Sequence, residues 1–506
     1  MTNHLFDAIR PAMAASRPFM KADGKAAITY GDMLAESARL ARALAAVGVS
    51  PGDRVAAQIE KSPGAILLYL ACVRVGAVFL PLNTGYTASE VEYYVGDARP
   101  RLMVVDPRHE DELLPVARRA GAGLMTLGGQ GEGTLAERAR GQAPEFANAA
   151  RGPDDLAALL YTSGTTGRSK GAMLTHGNLL SNGLALADAW RFTEDDVLIH
   201  ALPLFHTHGL FVATNVVLIA RASMILQPKF DPDAIVAALP QATVLMGVPT
   251  FYVRLLNHPG ITRESTAGMR LFVSGSAPLP AETHARWRAR TGHAILERYG
   301  MTETNMNASN PYVGERRAGT VGFPLPGTQI RIVDPQTGAC LPCGEIGMIE
   351  VRGPNVFVGY WRMPEKTKAE FRDDGFFVTG DLGRFDQDGY LQIVGRSKDL
   401  IIAGGYNIYP KEIELEIDAL PGVTESAVFG VPHPDLGEAV VAAVVGAASG
   451  SISEQAVQAS LAKTLARYKH PRRILFVDEL PRNAMGKVQK NLLRERYAGL
   501  YASPVT

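Results

Sequence analysis

Residues Tyr161 to Gly171 read Tyr-Thr-Ser-Gly-Thr-Thr-Gly-Arg-Ser-Lys-Gly and directly follow the apolar run Leu156 to Leu160. Three glycines, five Ser/Thr hydroxyls and a lysine on a tight loop leaving a strand supply backbone N–H groups, O–H donors and a cation, the set that a triphosphate requires. The spacing G-x-x-G-x-x-K over Gly164, Gly167 and Lys170 departs from a Walker A loop, whose Gly-Lys pair is absent. A solvated polar turn is the bland alternative, and it suits clusters shorter than these eleven residues.

Other segments could turn such a loop into a reaction site. Tyr299-Gly300-Met301-Thr302-Glu303 offers an aromatic face for a base, a hydroxyl for a phosphate and a carboxylate for Mg2+. Thr379-Gly380-Asp381 puts a carboxylate after a strand, the group type that accepts hydrogen bonds from both ribose hydroxyls. Gly395-Arg396-Ser397-Lys398-Asp399 adds cations, and Pro481-Arg482-Asn483-Ala484-Met485-Gly486-Lys487 ends in a lysine on a Gly/Pro-shaped loop. Taken singly, an Asp before a turn is most simply a cap and a Lys after Gly most simply solvated.

The elements that position these residues belong to a large globular chain. Its 506 residues allow about two to four domains, and 46% hydrophobic residues suffice for sizeable cores. Lys plus Arg equals Asp plus Glu at 51 each, so no overall field draws the chain to nucleic acid or an anionic membrane, and anion specificity must be local. Met1 to Arg10 has no cationic stretch before an apolar core, which argues against a secretory signal and for a cytoplasmic protein. The apolar run Ala65 to Leu82 carries Arg74 and Pro81, the pattern of a buried helix feeding a strand rather than a membrane span. Cys72 lies within that helix. Cys340 and Cys343 spell C-x-x-C, but in a turn-rich setting with no second Cys/His pair they read as reduced surface thiols.

Helix and strand alternate through most of the chain. Thr87 and Glu90 signal a capping box before Val91 to Val95, and Leu102 to Val105 follows as a strand. Val244 to Val248, Leu271 to Val273 and Ala294 to Leu296 read as short buried strands, with Ala281 to Arg290 as a helix, so the fold class is α/β. Gly128 to Pro153 lacks a clear period and reads as a surface excursion. After Gly322 the Gly- and Pro-rich texture predicts a β-rich subdomain. Past Asp399 a compact α+β set is expected: a helix over Pro410 to Leu420, strands over Ser426 to Val431 and Val440 to Val445, and a helix over Ser453 to Tyr468. The boundary falls near Arg396 to Leu400.

In this order, over nearly the whole length, the segments resemble the acyl-CoA synthetases of the adenylate-forming superfamily. The resemblance implies a large N-terminal domain over 1–395, a hinge over 396–400 and a small mobile C-terminal domain over 401–506. It also implies two half-reactions, in which a carboxylate attacks ATP and CoA then attacks the acyl-adenylate. ATP would be held by Thr162, Ser163, Gly164, Thr165, Thr166, Gly167, Lys170, Ser276, Ala277, Pro278, Glu297, Tyr299, Gly300, Thr302, Asp381 and Arg396. Thr302 and Glu303 would serve phosphate and Mg2+, Lys398 would be the hinge, Gly404 and Gly405 would line the thiol tunnel, and Lys487 would bridge carboxylate and α-phosphate. The resemblance further implies that a lysine acetyltransferase acting on Lys487 would silence the enzyme.

Arg298 stands before Tyr-Gly-x-Thr-Glu, where many members of the superfamily carry glycine. A guanidinium there narrows the pocket and fixes a positive charge at its floor, which suits a small second carboxylate. His206 is a second substrate contact, with Ser276, while His208 beside it reads either as structural or as a further contact. The chain is thus similar to the malonate-activating members. Its rivals are a short- or medium-chain acyl-CoA synthetase, a carrier-loading adenylation enzyme and a luciferase. An ion pair between Arg298 and Glu297 or another surface carboxylate would instead remove the argument for a diacid. Ile474 to Glu479 resembles a Walker B strand but lacks a Walker A partner.

Overall fold

Four β-sheets organise the residues that the computed structural model describes, namely 2–9, 15–22, 26–162, 169–403, 406–446, 452–483 and 486–501. Ser163, Gly164, Thr165, Thr166 and Gly167 of the phosphate loop, Gly404 and Gly405, and Ala484 and Met485 lie outside the described residues.

A six-stranded sheet runs in the order Gly123–Thr126, Leu102–Val105, Arg54–Gln58, Val78–Pro81, Leu156–Thr162 and Lys170–Thr175. It is parallel apart from the last hairpin, in which Thr162 pairs with Lys170 and holds the two ends of the phosphate loop side by side. Helix Pro63–Val75 covers this sheet, and its ends follow from sequence. Ser62 caps the Ala65 amide, Pro63 occupies the first turn, and Gly76 closes the helix at φ 77°. Arg74 is tolerated in this buried helix because it donates to Leu34 O, Ser37 Oγ and Asn148 Oδ1 and lies over the Phe6 ring. Asn148 belongs to the stretch read as a surface excursion. The stretch lies at the surface for most of its length, but it contains helix Thr134–Arg140 and supplies the buried Arg74 with partners.

A nine-stranded sheet carries the second half of the large domain, in the order Phe323–Pro324, Asn305–Ser309, Leu296–Met301, Leu271–Ser274, Val244–Gly247, Val197–His200, Ser223–Leu226, Pro18–Ala22 and Ile28–Thr29. Its central strands are parallel and fully apolar inside, as Val244 to Gly247 and Leu271 to Ser274 show. The strand expected at Ala294 to Leu296 begins at Leu296 and runs on through Arg298 to Met301, because the ladder to Asn305–Ser309 extends it. A four-stranded antiparallel sheet of Gln329–Val333, Gly347–Arg352, Phe377–Phe385 and Leu391–Arg396 forms the β-rich part. Cys340 and Cys343 are free and exposed in its first hairpin connection.

The last of these strands ends at Arg396, Ser397–Asp399 makes one 3-10 turn, and Ile401 opens the C-terminal sheet. There Val423–His433 and Gly437–Gly446 form a long hairpin, flanked by Ile401–Ala403, Tyr406–Ile408 and Arg473–Phe476. Helix Pro410–Asp418 packs Ile413 and Ile417 on it, while the helix begun at Glu454 stops at Thr464, short of Tyr468. Among the described residues no helix is long and apolar enough to cross a membrane.

Glu414 is buried between Lys490 at 2.5 Å and the Val428 amide at 2.9 Å, tying helix Lys490–Tyr497 to the C-terminal core. Removing one partner of such a pair costs about 3 to 5 kcal/mol. Glu414→Ala should therefore speed hydrogen exchange in 410–418 and 490–497, with the two N-terminal sheets unchanged.

Candidate active site

Alternation along the strand Leu296–Met301 divides the site into two faces, because successive side chains point to opposite sides of a sheet. Glu297 and Tyr299 face one way. The Glu297 carboxylate accepts from the Leu279 and Gly319 amides, each at 3.3 Å, and burial pushes it up to about 8. It thereby frames the loop holding Ser276, Ala277 and Pro278. Tyr299 donates to Asp381 Oδ2 at 2.5 Å, and Asp381 Oδ1 pairs with Arg396 Nε at 2.6 Å. Thr379 Oγ1 accepts from the Asp381 amide and fixes the carboxylate between them. An aromatic ring, a carboxylate and a guanidinium are thus set in one row with their hydrogen bonds made.

The phosphate side is a second connected network. Lys170 Nζ lies 3.1 Å from Glu370 and 4.1 Å from the centre of the Tyr360 ring. The Tyr360 hydroxyl is 2.6 Å from Glu370 and 3.0 Å from Glu303, so it bridges the two carboxylates. Burial raises the Glu303 carboxyl, and the nearby Lys170 and Arg396 pull it back down. A buried carboxylate of this kind gains from an arriving cation. Among the described residues no cluster of three or more His, Cys, Asp or Glu side chains that could hold a metal ion occurs. Thr302 sits beside it, half-buried.

Arg298 faces the other way, and its surroundings are unlike those of any surface ion pair. It is 4% exposed, and among the described residues its Nε and Nη2 have no hydrogen-bond partner. Glu297 does not pair with it, being committed to two backbone amides on the opposite face. Burial lowers the guanidinium to about 9. It lies flat against Gly275, where a Cβ would come within 2.4 Å of Arg298 Cζ, so only glycine leaves it room. The next residue, Ser276, holds a left-handed φ of 71°, a strained position for a non-glycine residue, with its hydroxyl 3.4 Å from His208 Nδ1.

The two histidines enter from the segment before the π-helical turns of His208–Thr214. His206 Nδ1 accepts from the His208 amide at 3.2 Å, which leaves its proton on Nε2. Burial, then Arg298 and Lys487, push His206 down to about 4, so the ring is neutral and a donor. His208 is fully buried with Nε2 unpartnered among the described residues, and burial and Arg298 hold it far below its usual range.

Lys487 reaches this point from the C-terminal domain. Asn483 N donates to Lys487 O at 2.9 Å, Lys487 N returns a bond to Asn483 Oδ1, and Arg482 donates to Gly486 O at 2.6 Å. Gly486, at φ 73°, lies against Thr250 of the large domain. Much of the Lys487 side chain is open to the cleft, but its amine is enclosed by protein. That enclosure, and then Arg396, push it down to about 8. Arg298, His206 and Lys487 therefore converge from two domains. The hinge candidate Lys398 is exposed beside Asp399, which pairs with Arg494 at 2.6 Å.

The structure also brings in residues that no motif marks. Tyr360 and Glu370 arrive from the connection between strands Gly347–Arg352 and Phe377–Phe385, 190 and 200 residues after Lys170. Neither carries a spacing signal, and only tertiary contact identifies them.

Comparison with known proteins places these features in a family. The AMP-binding enzyme model matches residues 9–361, and the AMP-binding enzyme C-terminal domain model matches 412–487. A feruloyl-CoA synthase of an Amycolatopsis species is 38% identical over 94% of this chain and 95% of its own. A malonate–CoA ligase of Arabidopsis thaliana is 34% identical over 95% of this chain and 86% of its own. The crystal structure of ATP-bound MatB from Rhodopseudomonas palustris is 59% identical, covers 99% of this chain and 100% of that one, and superposes with a TM-score of 0.97. The apo form of the same protein gives 0.87. With both domain models matched and the two domains meeting at Lys487, the chain belongs to the AMP-binding enzymes.

Proposed function

We propose that the protein is an ATP-dependent malonate–CoA ligase that forms malonyl-CoA through a malonyl-adenylate and releases AMP and pyrophosphate. One observation carries the choice of acid: the buried Arg298 guanidinium, without a counter-charge among the described residues, beside the neutral donor His206. Malonate presents one carboxylate to ATP and leaves the other where Arg298 can pair with it. The 59% identity to MatB and the malonate–CoA ligase of Arabidopsis support the same reading. A feruloyl or medium-chain acid would leave the guanidinium buried and unpaired.

In the first half-reaction a carboxylate oxygen bonds to the α-phosphorus as the bond to pyrophosphate breaks. Both reactants are anions, so Lys487, between carboxylate and α-phosphate, stabilises charge that accumulates only there. Tyr299, Asp381 and Arg396 hold adenosine, and Lys170 and Thr302 hold phosphates with the loop from Thr162. Mg2+ bound at Glu303 would neutralise phosphate charge. In the second half-reaction the CoA sulfur bonds to the acyl carbon as AMP leaves with the bonding pair, after a swing about Lys398 that brings Gly404 and Gly405 to the thiol path. Methylmalonate, one methyl larger, is a second candidate, since a methyl group is worth only about 1 to 3 kcal/mol in a pocket.

Pyrophosphate release measured over acetate, butyrate, malonate, methylmalonate and succinate tests the assignment. Malonate should exceed acetate by at least about 10²-fold in kcat/KM. Arg298→Gly should erase most of that preference, and Arg298→Lys should restore little, because a point charge does not match a planar carboxylate. Gly275→Ala should lower malonate use by displacing the guanidinium while the KM for ATP stays within about threefold. Preference for butyrate, or full malonate selectivity in Arg298→Gly, overturns the diacid reading.

Lys487 serves as a cation, and raising the pH removes its proton. Adenylation kcat/KM should therefore fall about tenfold per pH unit above about 8, whereas Lys487→Arg should give a lower profile that stays flat up to about 9, where Arg298 begins to lose its charge. Lys487→Ala should slow adenylation by about 10²- to 10³-fold, yet still convert supplied malonyl-adenylate to the thioester. Acetylation by a lysine acetyltransferase removes the same charge and should silence adenylation equally.

Proline fixes φ near about −65°. Lys398→Pro should therefore leave adenylation intact and abolish CoA-dependent thioester formation in single-turnover measurements.

A further inference from the structure

Lys61 is an ionisable residue that the reaction above does not use. It follows strand Arg54–Gln58, an interior strand of the six-stranded sheet, precedes helix Pro63–Val75, and reaches His200 of the nine-stranded sheet. Its stem is partly exposed, its amine is enclosed, and among the described residues no carboxylate pairs with it. The amine instead lies 2.7 Å from His200 O and 3.0 Å from His200 Nδ1. His200 ends strand Val197–His200 and is fully buried, and its other nitrogen, Nε2, is 2.9 Å from Gly209 O. The Thr214 hydroxyl donates to the same carbonyl at 3.1 Å.

Gly209 is the residue after His208, and its amide bonds back to His206 O at 3.1 Å. A Cβ at Gly209 would meet Pro203 O at 2.1 Å, so the turn cannot slide toward Pro203 to compensate for a lost bond. The Gly209 carbonyl can only accept, so its contact puts the His200 proton on Nε2 and leaves Nδ1 as the acceptor of a Lys61 N–H. With the other tautomer, Nε2 would face the Gly209 oxygen lone pair to lone pair in a buried place, with the Thr214 hydroxyl at 3.4 Å as the one donor near it among the described residues.

We propose that Lys61 and His200 are positioning residues for the acid site: Lys61 anchors the Nδ1 edge of the His200 ring, and His200 holds the Gly209 carbonyl through Nε2–H, so that His206 and His208 keep their place beside Arg298. The proposal rests on the reading of Arg298 and His206 as the acid-recognising pair. It assigns the specificity of one domain half to a lysine from the other, with two residues that touch no substrate.

Steady-state kinetics on full-length enzyme test it, with Lys61→Met, His200→Leu and His200→Gln beside the wild type. Glutamine can accept from Lys61 through its oxygen and donate to Gly209 through its nitrogen; leucine can do neither. Lys61→Met and His200→Leu should raise the KM for malonate by about tenfold or more with the KM for ATP changed less than about threefold, and His200→Gln should recover most of the loss. Selective 15N-histidine NMR of the wild type supplies a readout independent of any variant's folding, and His200 should show the Nε2–H tautomer. A malonate KM in Lys61→Met within about twofold of wild type, equal losses toward ATP and malonate, no rescue by glutamine, or an Nδ1–H tautomer in the wild type would each overturn the proposal. If the wild type prefers another acid but these variants still raise that acid's KM selectively, the malonate reading fails and the positioning role stands.

Discussion

A guanidinium enclosed without an opposite charge is among the most costly arrangements a folded chain can hold, and the acid side of this molecule is built around one. Arg298 cannot relax toward Glu297, because strand alternation sends the two side chains to opposite faces. It cannot spread into Gly275 without meeting backbone. The neighbouring His206 and His208 are held neutral, so they add donors without adding to the repulsion. Anion binding relieves the cost, and the same relief makes approach of Lys487 favourable, since three positive or donor groups meet there from two domains. On the proposed reading, closure of the small domain would be coupled to occupancy by an electrostatic term rather than by a mechanical one.

The nucleotide side is organised on the opposite principle. Asp381 has both its oxygens engaged by Tyr299 and Arg396, and Glu303, Tyr360, Glu370 and Lys170 satisfy one another in sequence. Such a network is preorganised and near neutral, so it can hold a common ligand without rearranging. The contrast separates a generic function from a specific one: a satisfied frame for the nucleotide, and an unsatisfied charge for the acid.

The sequence made much of this legible, and the limits have physical causes. Motifs confined to one turn or one strand, such as Tyr299 to Glu303 and the Lys487 loop, could be read because their chemistry depends on local spacing. Thr87 with Glu90 marked a helix start because capping is a local hydrogen-bond problem. The stretch from Gly128 to Pro153 was legible as surface but not as a source of partners for the buried Arg74, because a partner 74 residues away leaves no periodic trace. Tyr360, Glu370, Lys61 and His200 were invisible for the same reason, being ordinary residues until two sheets place them in contact. Arg298 was readable as a departure from a motif, but that it lacks a counter-charge emerges only from the packed structure.

The strand that carries Glu297, Arg298 and Tyr299 also limits how such an enzyme can evolve. Adjacent residues serve different ligands because the pleat turns every second side chain away, so exchanging one residue at 298 alters the acid without disturbing the nucleotide frame. An insertion or deletion of one residue has the reverse character: it would carry Arg298 to the nucleotide face and Tyr299 to the acid face at once. Diversification at this edge should thus proceed by substitution at constant length, leaving new acids one codon apart while the strand itself stays fixed.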